Sequence, residues 1–253
     1  MSPKGGEGAE RRVSSHRRCP LRAFSGVLMT FKSTVPVIAI DGPSGSGKGT
    51  VACAVADALG FHYLNSGALY RAVALAAMES GANLENELVL RDIALNLIAK
   101  FHGESVVLGG RDVTDVVRSE AVSLAASRIA AVPTVREALL ERQRAFRQAP
   151  GLVADGRDMG SIVFPDAVLK VFLTASAEER AKRRYKQLID KGMGATMATL
   201  LQDIRERDER DSSRAAAPLR QSADAVLLDT TGISIEEAVA RVLALYKRAR
   251  QAP

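Results

Sequence analysis

Apolar and polar positions fall in blocks along the chain that separate short strands from helices. The first block, Val35-Pro36-Val37-Ile38-Ala39-Ile40, is a continuous apolar run of strand length. A strand covered on both faces reads this way. From Val51 to Leu59 the apolar residues return at helical spacing, and Gly60 closes the run. Phe61 to Leu64 predicts a second short strand, which Ser66 and Gly67 break before an alanine-rich helix over Ala68 to Met78. Leu152-Val153-Ala154 and Ala167 to Thr174 read as further strands, the latter followed by a strongly basic helix, Ala177 to Asp190. Residues 196–214 predict a helix with the apolar stripe Met197, Leu200, Leu201, Ile204. Ala223 to Asp229 reads as the last strand. The closing helix begins at Ser234, with Ile235, Ala238, Val239, Val242, Leu243 and Tyr246 on one face. Strands that alternate with helices predict an α/β fold: a parallel sheet of about five strands flanked by helices.

The stretch from Gly81 to about Ala131 breaks that rhythm. Leu88 to Ile98 has helical spacing, and Ser105 to Leu108 followed by Gly109-Gly110 reads as a strand and hairpin turn. Ser119 is placed to cap a helix over Ala121 to Ala131. Pro133 suits the first turn of the next helix, which is expected to run to Pro150.

Composition changes this picture little. With 253 residues, 47% hydrophobic and 25% charged, the chain can bury a sizeable core as one domain with an insertion or as two. No apolar run approaches the length of a membrane span. Cys19 and Cys53 are far apart and lack metal-like spacing, which suggests a reducing compartment without disulfides or a zinc site. Charge changes more. Residues 1–32 hold seven cations against Glu7 and Glu10, a net of +5 out of +6 for the whole chain, so the remainder carries only +1. Nucleic-acid binding argued from the high isoelectric point would therefore rest on this stretch alone. It is rich in Gly, Ser and Arg and has no periodicity, so it is expected to be a disordered basic tail. It lacks a signal-peptide pattern, and Met29 is a second candidate start.

Candidate chemistry concentrates at Asp41 to Thr50, DGPSGSGKGT, lying between the first strand and the first helix. Strand, glycine-rich loop and helix are the context of a phosphate-binding loop. Glycines at 42, 45, 47 and 49 let several backbone N–H groups turn inward, the helix N-terminus adds partial positive charge, and Lys48 adds a full one. The spacing Gly42 to Gly47-Lys48 fits G-x-x-x-x-G-K. The alternative is a glycine-rich turn with a surface lysine. Gly49 stands where Ser or Thr usually follows the lysine. That argues against a GTPase-like site, in which the hydroxyl holds Mg²⁺, and no N-K-x-D guanine motif is present.

Other polar groups need folding to bring them together. Ser66, Tyr70 and Arg71 lie at the start of a helix, where an N-cap serine, a packed tyrosine and a solvated arginine would look the same. Gly156-Arg157-Asp158 follows a buried strand at its carboxyl end, the edge at which open α/β sheets bind ligands. The alternative there is a surface pair of little worth. At the end of the 196–214 helix the apolar stripe continues at the same phase into Arg207, Asp211 and Arg214. An i,i+4 pair of Arg207 with Asp211 is the ordinary explanation; a helix running into a polar cleft is the functional one.

GPSGSGKGT followed by NSGALYR resembles the bacterial cytidylate kinase family of P-loop nucleoside monophosphate kinases, and the resemblance extends through VREALLERQRAFR and DGRDMG over nearly all of the chain after residue 34. One departure is Asn65, where the related pattern often has Asp. The resemblance implies a P-loop kinase domain over 33–253, with an acceptor-binding insert at about 85–130 and a short lid at about 183–196 that includes the Gly192 and Gly194 stretch. It implies transfer of phosphate from ATP, with Mg²⁺, to CMP or dCMP. Gly42, Pro43, Ser44, Gly45, Ser46, Gly47, Lys48, Gly49 and Thr50 would hold the ATP phosphates. Ser66, Tyr70 and Arg71 would bind the acceptor nucleotide, with Arg71, Arg157 and Arg214 on its phosphate. Ser127, Arg136 and Asp158 would meet the base, and Arg207 and Asp211 would lie near the sugar. Lys48, Arg157, Arg214 and a lid arginine, taken as Arg184, would stabilise the transferring phosphoryl group. No clear carboxylate ligand for Mg²⁺ is evident in the sequence; Asp155 and Asp41 are the two candidates to hold it through water. Arg157→Ala and Arg214→Ala are expected to lose activity while remaining folded. The expected protein is a cytoplasmic monomer, with no membrane partner and no nucleic acid bound by the kinase domain. The competing readings are a small-molecule P-loop kinase for UMP, AMP or shikimate, and a P-loop GTPase or nucleic-acid-binding protein.

Overall fold

A computed structural model describes residues 35–190, 192 and 194–251. The expectations for residues 1–32, Met29 and Cys19, and for part of the 183–196 stretch, lie outside those residues. β1 (Val37–Asp41) ends at the glycine-rich loop, and α1 (Lys48–Leu59) follows it. The helix opens three residues before its apolar pattern, since Gly47 adopts the left-handed conformation (φ 88°) at the N-cap and turns the chain directly into the coil. β2 (His62–Asn65) leads into α2 (Ser66–Glu79). This helix also begins early. Asn65, not Ser66, is its cap: the side-chain oxygen accepts from the Ala68 N–H at 3.0 Å.

α3 (Glu87–Leu95) is capped by Asn86 and stops short of Ile98. Three short antiparallel strands come next, β3 (Ala99–His102), β4 (Ser105–Leu108) and β5 (Arg111–Asp112), where the sequence predicts only the middle one. A 3₁₀ turn at Val116–Arg118 precedes α4 (Glu120–Ile129). As expected, Ser119 caps that helix, accepting from Val122 N–H at 3.4 Å. α5 (Pro133–Arg144) starts at its proline but ends before Pro150. β6 (Leu152–Gly156) runs into one wide turn of π-helix, Met159–Val163. β7 (Leu169–Thr174), α6 (Ala177–Asp190), α7 (Met197–Ser213), β8 (Val226–Asp229) and α8 (Ile235–Gln251) complete the chain.

The main sheet has five parallel strands in the order β2-β6-β1-β7-β8. The strand period of two places Ile38 and Ile40 against α1 and α8, packed with Val51, Val55, Ala238 and Val242. Val37 and Ala39 face the other way, against Leu69 of α2 and against Met159 and Phe164. Burial on both faces explains the unbroken apolar run of β1. A third core, including Val73 of α2, Leu90 of α3, Val106 of β4, Ile129 of α4 and Leu139 of α5, fastens the insert to the body. β1 lies between β6 and β7, so the chain continues to either side of it. The crevice at the carboxyl ends of β1 and β6 is the kind of switch point where such sheets bind ligands. Among the described residues no helix is long and apolar enough to cross a membrane.

Candidate active site

The glycine-rich loop is braced from outside. Three of its carbonyl oxygens accept from side chains. Lys48 Nζ and Ser46 Oγ donate to Pro43 O at 3.1 and 3.0 Å. Arg180 of α6 donates to Ser44 O at 3.1 Å, and Arg183 and the Thr230 hydroxyl donate to Ser46 O at 3.1 Å each. With these carbonyls turned outward, the loop's N–H groups are left for an anion. Arg180, Arg183 and Thr230 were not among the sequence candidates. The sequence signal for the two arginines is the density of basic residues in α6; Thr230, just after β8, has none. Arg180 is itself held by Asp208 at 2.6 Å.

The absence of a hydroxyl after Lys48 now has a steric reason. A side-chain carbon at Gly49 would lie 3.2 Å from Asp155 Oδ2 and 3.5 Å from the Tyr63 hydroxyl. The Asp155 carboxylate thus stands beside position 49, at the end of β6, with Oδ1 3.9 Å from Lys48 Nζ. Asp41 is differently placed. Its two oxygens accept from Met159 N–H and Gly160 N–H, each at 2.8 Å.

Between the loop and the insert lies a cavity of about 220 Å³. Ser44, Gly45, Lys48 and Gly49 line one end. All ten side chains predicted for the acceptor nucleotide line it as well: Ser66, Tyr70 and Arg71 from α2, Ser127 from α4, Arg136 from α5, Arg157 and Asp158 from the turn after β6, and Arg207, Asp211 and Arg214 from α7 and its end. Gly42, Pro43, Ser46, Gly47 and Thr50 do not line it; Ser46 is spent inside the loop, and Thr50 points to solvent. Arg184 is the one predicted catalytic arginine outside the lining. It faces Glu120 of α4 at 3.4 Å in a largely exposed pair.

Within the cavity the charges pair across elements. Arg136 forms an ion pair with Asp158, and its guanidinium lies 5.9 Å from the Tyr70 ring centroid. Asp211 pairs with Arg157 at 2.8 Å rather than with Arg207 one helical turn away. The i,i+4 explanation of Arg207 and Asp211 is therefore corrected: the carboxylate turns into the cleft and makes a charge-assisted hydrogen bond with Arg157. Burial pushes the Asp211 carboxyl up, but the charge and hydrogen bond of Arg157, with Arg207 and Arg214, bring it below its usual value overall. Burial, then repulsion from Arg157, lowers Lys48 to about 7 and Arg207 to about 10. The same two causes lower Arg71, while burial and then Arg136 lower Arg214. Burial raises Asp155 against the pull of Lys48 and Arg157. It raises Asp41 to about 7 against the hydrogen bonds from Gly160 and Met159.

Buried polar atoms without a partner are rare in folded proteins. Among the described residues there are five on side chains, and four belong to residues lining this cavity: Ser127 Oγ, Asp155 Oδ1, Arg207 Nε and Arg214 Nη2. Three of these four, on Ser127, Arg207 and Arg214, are unspent donors, and together with the crowded cations they suit an anionic ligand.

A parallel α/β sheet with a phosphate-binding loop after its central strand and an arginine-lined cavity opposite defines a P-loop kinase. The family model for cytidylate kinase matches residues 38–248, and the chain belongs to that family. Over 221 residues it is 58% identical to the cytidylate kinase of Nitrosomonas europaea, covering 87% of this chain and 99% of that protein. It is likewise 58% identical over 215 residues to the cytidylate kinase of Stutzerimonas stutzeri, with 83% and 94% covered. Among solved structures, a gluconokinase from Sinorhizobium meliloti is similar with a TM-score of 0.44 at 20% identity, over 84% of this chain and 92% of that one.

Proposed function

We propose that the protein transfers the γ-phosphoryl group of ATP to the phosphate of CMP or dCMP, giving ADP and CDP or dCDP. The observation that carries this reading is the clustering of unpartnered donors and crowded guanidiniums on one side of a cavity whose other side is the glycine-rich loop. In this reading ATP rests its phosphates on the loop amides and Lys48. Arg71, Arg157 and Arg214 hold the acceptor phosphate. A phosphate oxygen of CMP attacks the γ-phosphorus in line, the bond to the ADP oxygen breaks, and ADP leaves. No general base is required, because a phosphate monoester is already an anion near neutral pH. The protein's part is to position both phosphates, balance the developing charge and exclude water.

Asp158 and Arg136 are proposed as the base readers. A carboxylate accepts from the exocyclic amine of cytosine and repels the carbonyl oxygen that uracil offers there. Arg136, already paired with Asp158, supplies donors to the ring's acceptors. Ser127 is proposed to join them, a reading supported by its Oγ having no hydrogen-bond partner in the cavity wall. Arg207 and Asp211 are proposed at the sugar. Residues 85–130 are proposed as the insert that closes over the acceptor, and about 183–196 as the lid.

The residues present fit Mg²⁺ at one place. Asp155 has an unpartnered carboxylate oxygen beside the loop, whereas both Asp41 oxygens are engaged, so Asp155 is the group proposed to hold the ion through water. Bound Mg²⁺ would neutralise charge on the phosphate oxygens. Donor loop and acceptor groups come from one chain, which supports a monomer as the working unit. Action in the cytoplasm belongs to the same proposal.

The test is phosphorylation of CMP, dCMP, UMP and AMP side by side. CMP or dCMP should be the preferred acceptor. A preference for UMP or AMP rejects the base assignment.

A further inference from the structure

Asp41 has no part in the reaction as described so far. It is the last residue of β1, and its register partner across the ladder is Gly156 of β6. Next in the chain comes Gly42, the first glycine of the donor loop. Its side chain reaches the other way. Oδ1 accepts from the Met159 N–H and Oδ2 from the Gly160 N–H, both at 2.8 Å. These amides directly follow Arg157 and Asp158. Among the described residues no cation forms an ion pair with this carboxylate. The turn it grips is also held on its far side. The Asp158 carbonyl accepts from Ile162 and Val163 N–H at 2.9 and 3.2 Å, and a side chain at Gly160 would crowd Lys170 at 3.1 Å.

A carboxylate is the one small side chain that offers an acceptor to both amides at once. An asparagine of the same shape would set an N–H against an N–H. We infer that Asp41 is a positioning residue, a clamp that fixes the Arg157–Asp158 turn against the start of the donor loop and so sets where the acceptor's phosphate and base sit relative to ATP. The kinetic part of this inference rests on the proposed reaction; the clamp itself does not.

Two measurements on the full chain test it. First, hydrogen exchange of the unliganded wild-type protein should show the Met159 and Gly160 amides as protected as those of β6. Exchange at the rate of free amides would mean that no clamp exists. Second, Asp41→Asn should raise KM for CMP by about tenfold or more while KM for ATP stays within about threefold, and should lower the CMP-over-UMP preference in kcat/KM by about tenfold. Excess Mg²⁺ should not restore it. Equal losses on ATP and CMP, an unchanged base preference, or rescue by Mg²⁺ would each overturn the role, the last by making Asp41 a metal ligand. If wild-type protein itself shows no CMP preference, the proposed function fails instead, and the exchange result still decides whether the clamp is real.

Discussion

The two ends of the cavity are built on opposite plans. The proposed donor end is the contiguous run of nine residues from Gly42 to Thr50, whose working groups are mostly backbone amides; within it only Lys48 carries a side-chain charge. The acceptor end is made of side chains from α2, α4, α5, the turn after β6 and α7, spread over about 150 residues of chain. The backbone end needs glycines and bracing, and it tolerates little change of shape. The side-chain end suits the proposed reading of a base and a sugar, because each arm is a separate choice of residue. Its arginines are held at a cost, first of burial and second of mutual repulsion, as the lowered Arg71, Arg207 and Arg214 indicate. A phosphate ligand relieves that repulsion, which ties acceptor binding to charge rather than to apolar contact.

Lys48→Met separates the two ends most sharply. It deletes the donor end's only full charge and leaves the amides in place. Turnover should fall about 10³-fold, in the range for losing a group that meets transition-state charge, while equilibrium binding of CMP stays within about threefold. A comparable fall in CMP binding would show that the ends are not separable. Arg157→Lys probes the other end. Lysine keeps the charge but loses the planar fork, so kcat/KM for CMP should drop by about 10²-fold with KM for ATP little changed. Lysine is the better probe because Arg157→Ala would leave the buried Asp211 uncompensated, a loss of about 3 kcal/mol of stability or more. The alanine variant is still expected to fold, since a domain of this size has about 5–15 kcal/mol to lose, but its lower stability would blur the kinetic comparison. Asp158→Asn replaces the acceptor proposed to face the base with an ambiguous amide. The CMP-over-UMP ratio should fall by about 10- to 100-fold with total turnover less affected. An unchanged ratio would remove Asp158 from base reading.

The same division explains what the sequence made legible. A loop that works through contiguous backbone leaves its pattern in adjacent letters, so Asp41 to Thr50 could be placed on strand, turn and helix directly. The five-stranded sheet was equally visible, because strands buried on both faces give unbroken apolar runs such as Val37 to Ile40. Spacing alone could not gather the acceptor arms; the residues did so only by resembling a known family. The choice of ion-pair partner escaped both routes. Asp211 turns to Arg157 rather than Arg207, and Arg184 turns to Glu120, because each choice depends on how α7 and α6 pack after folding. β3 and β5 were missed for a related reason: Ala99–His102 and Arg111–Asp112 are too short and mixed to show alternation. Gly49 was read as a departure from a motif, and only the approach of Asp155 gives it a cause.

The smallest expected effect concerns a single proton. In the unliganded fold, burial and Arg157 lower Lys48 from 10.5 to about 7. Between those values the unfolded chain binds a proton that the fold gives up. This lysine therefore makes the unliganded protein less stable at pH 7 than at pH 10, with stability rising through that window. Bound ATP reverses the balance, because its phosphates favour the ammonium form over the neutral amine. At pH 8, ATP binding should therefore take up as much as about one proton, seen calorimetrically as a binding enthalpy that varies with the buffer's ionisation enthalpy. The uptake should shrink toward pH 6, where Lys48 is already charged, and should vanish in Lys48→Met. Binding CMP alone should take up far less, since the acceptor phosphate meets arginines that remain protonated at this pH. A buffer-independent ATP enthalpy at pH 8 would mean that Lys48 is already an ammonium ion in the empty loop, and that the electrostatic cost of the unliganded site is carried by the acceptor arginines alone.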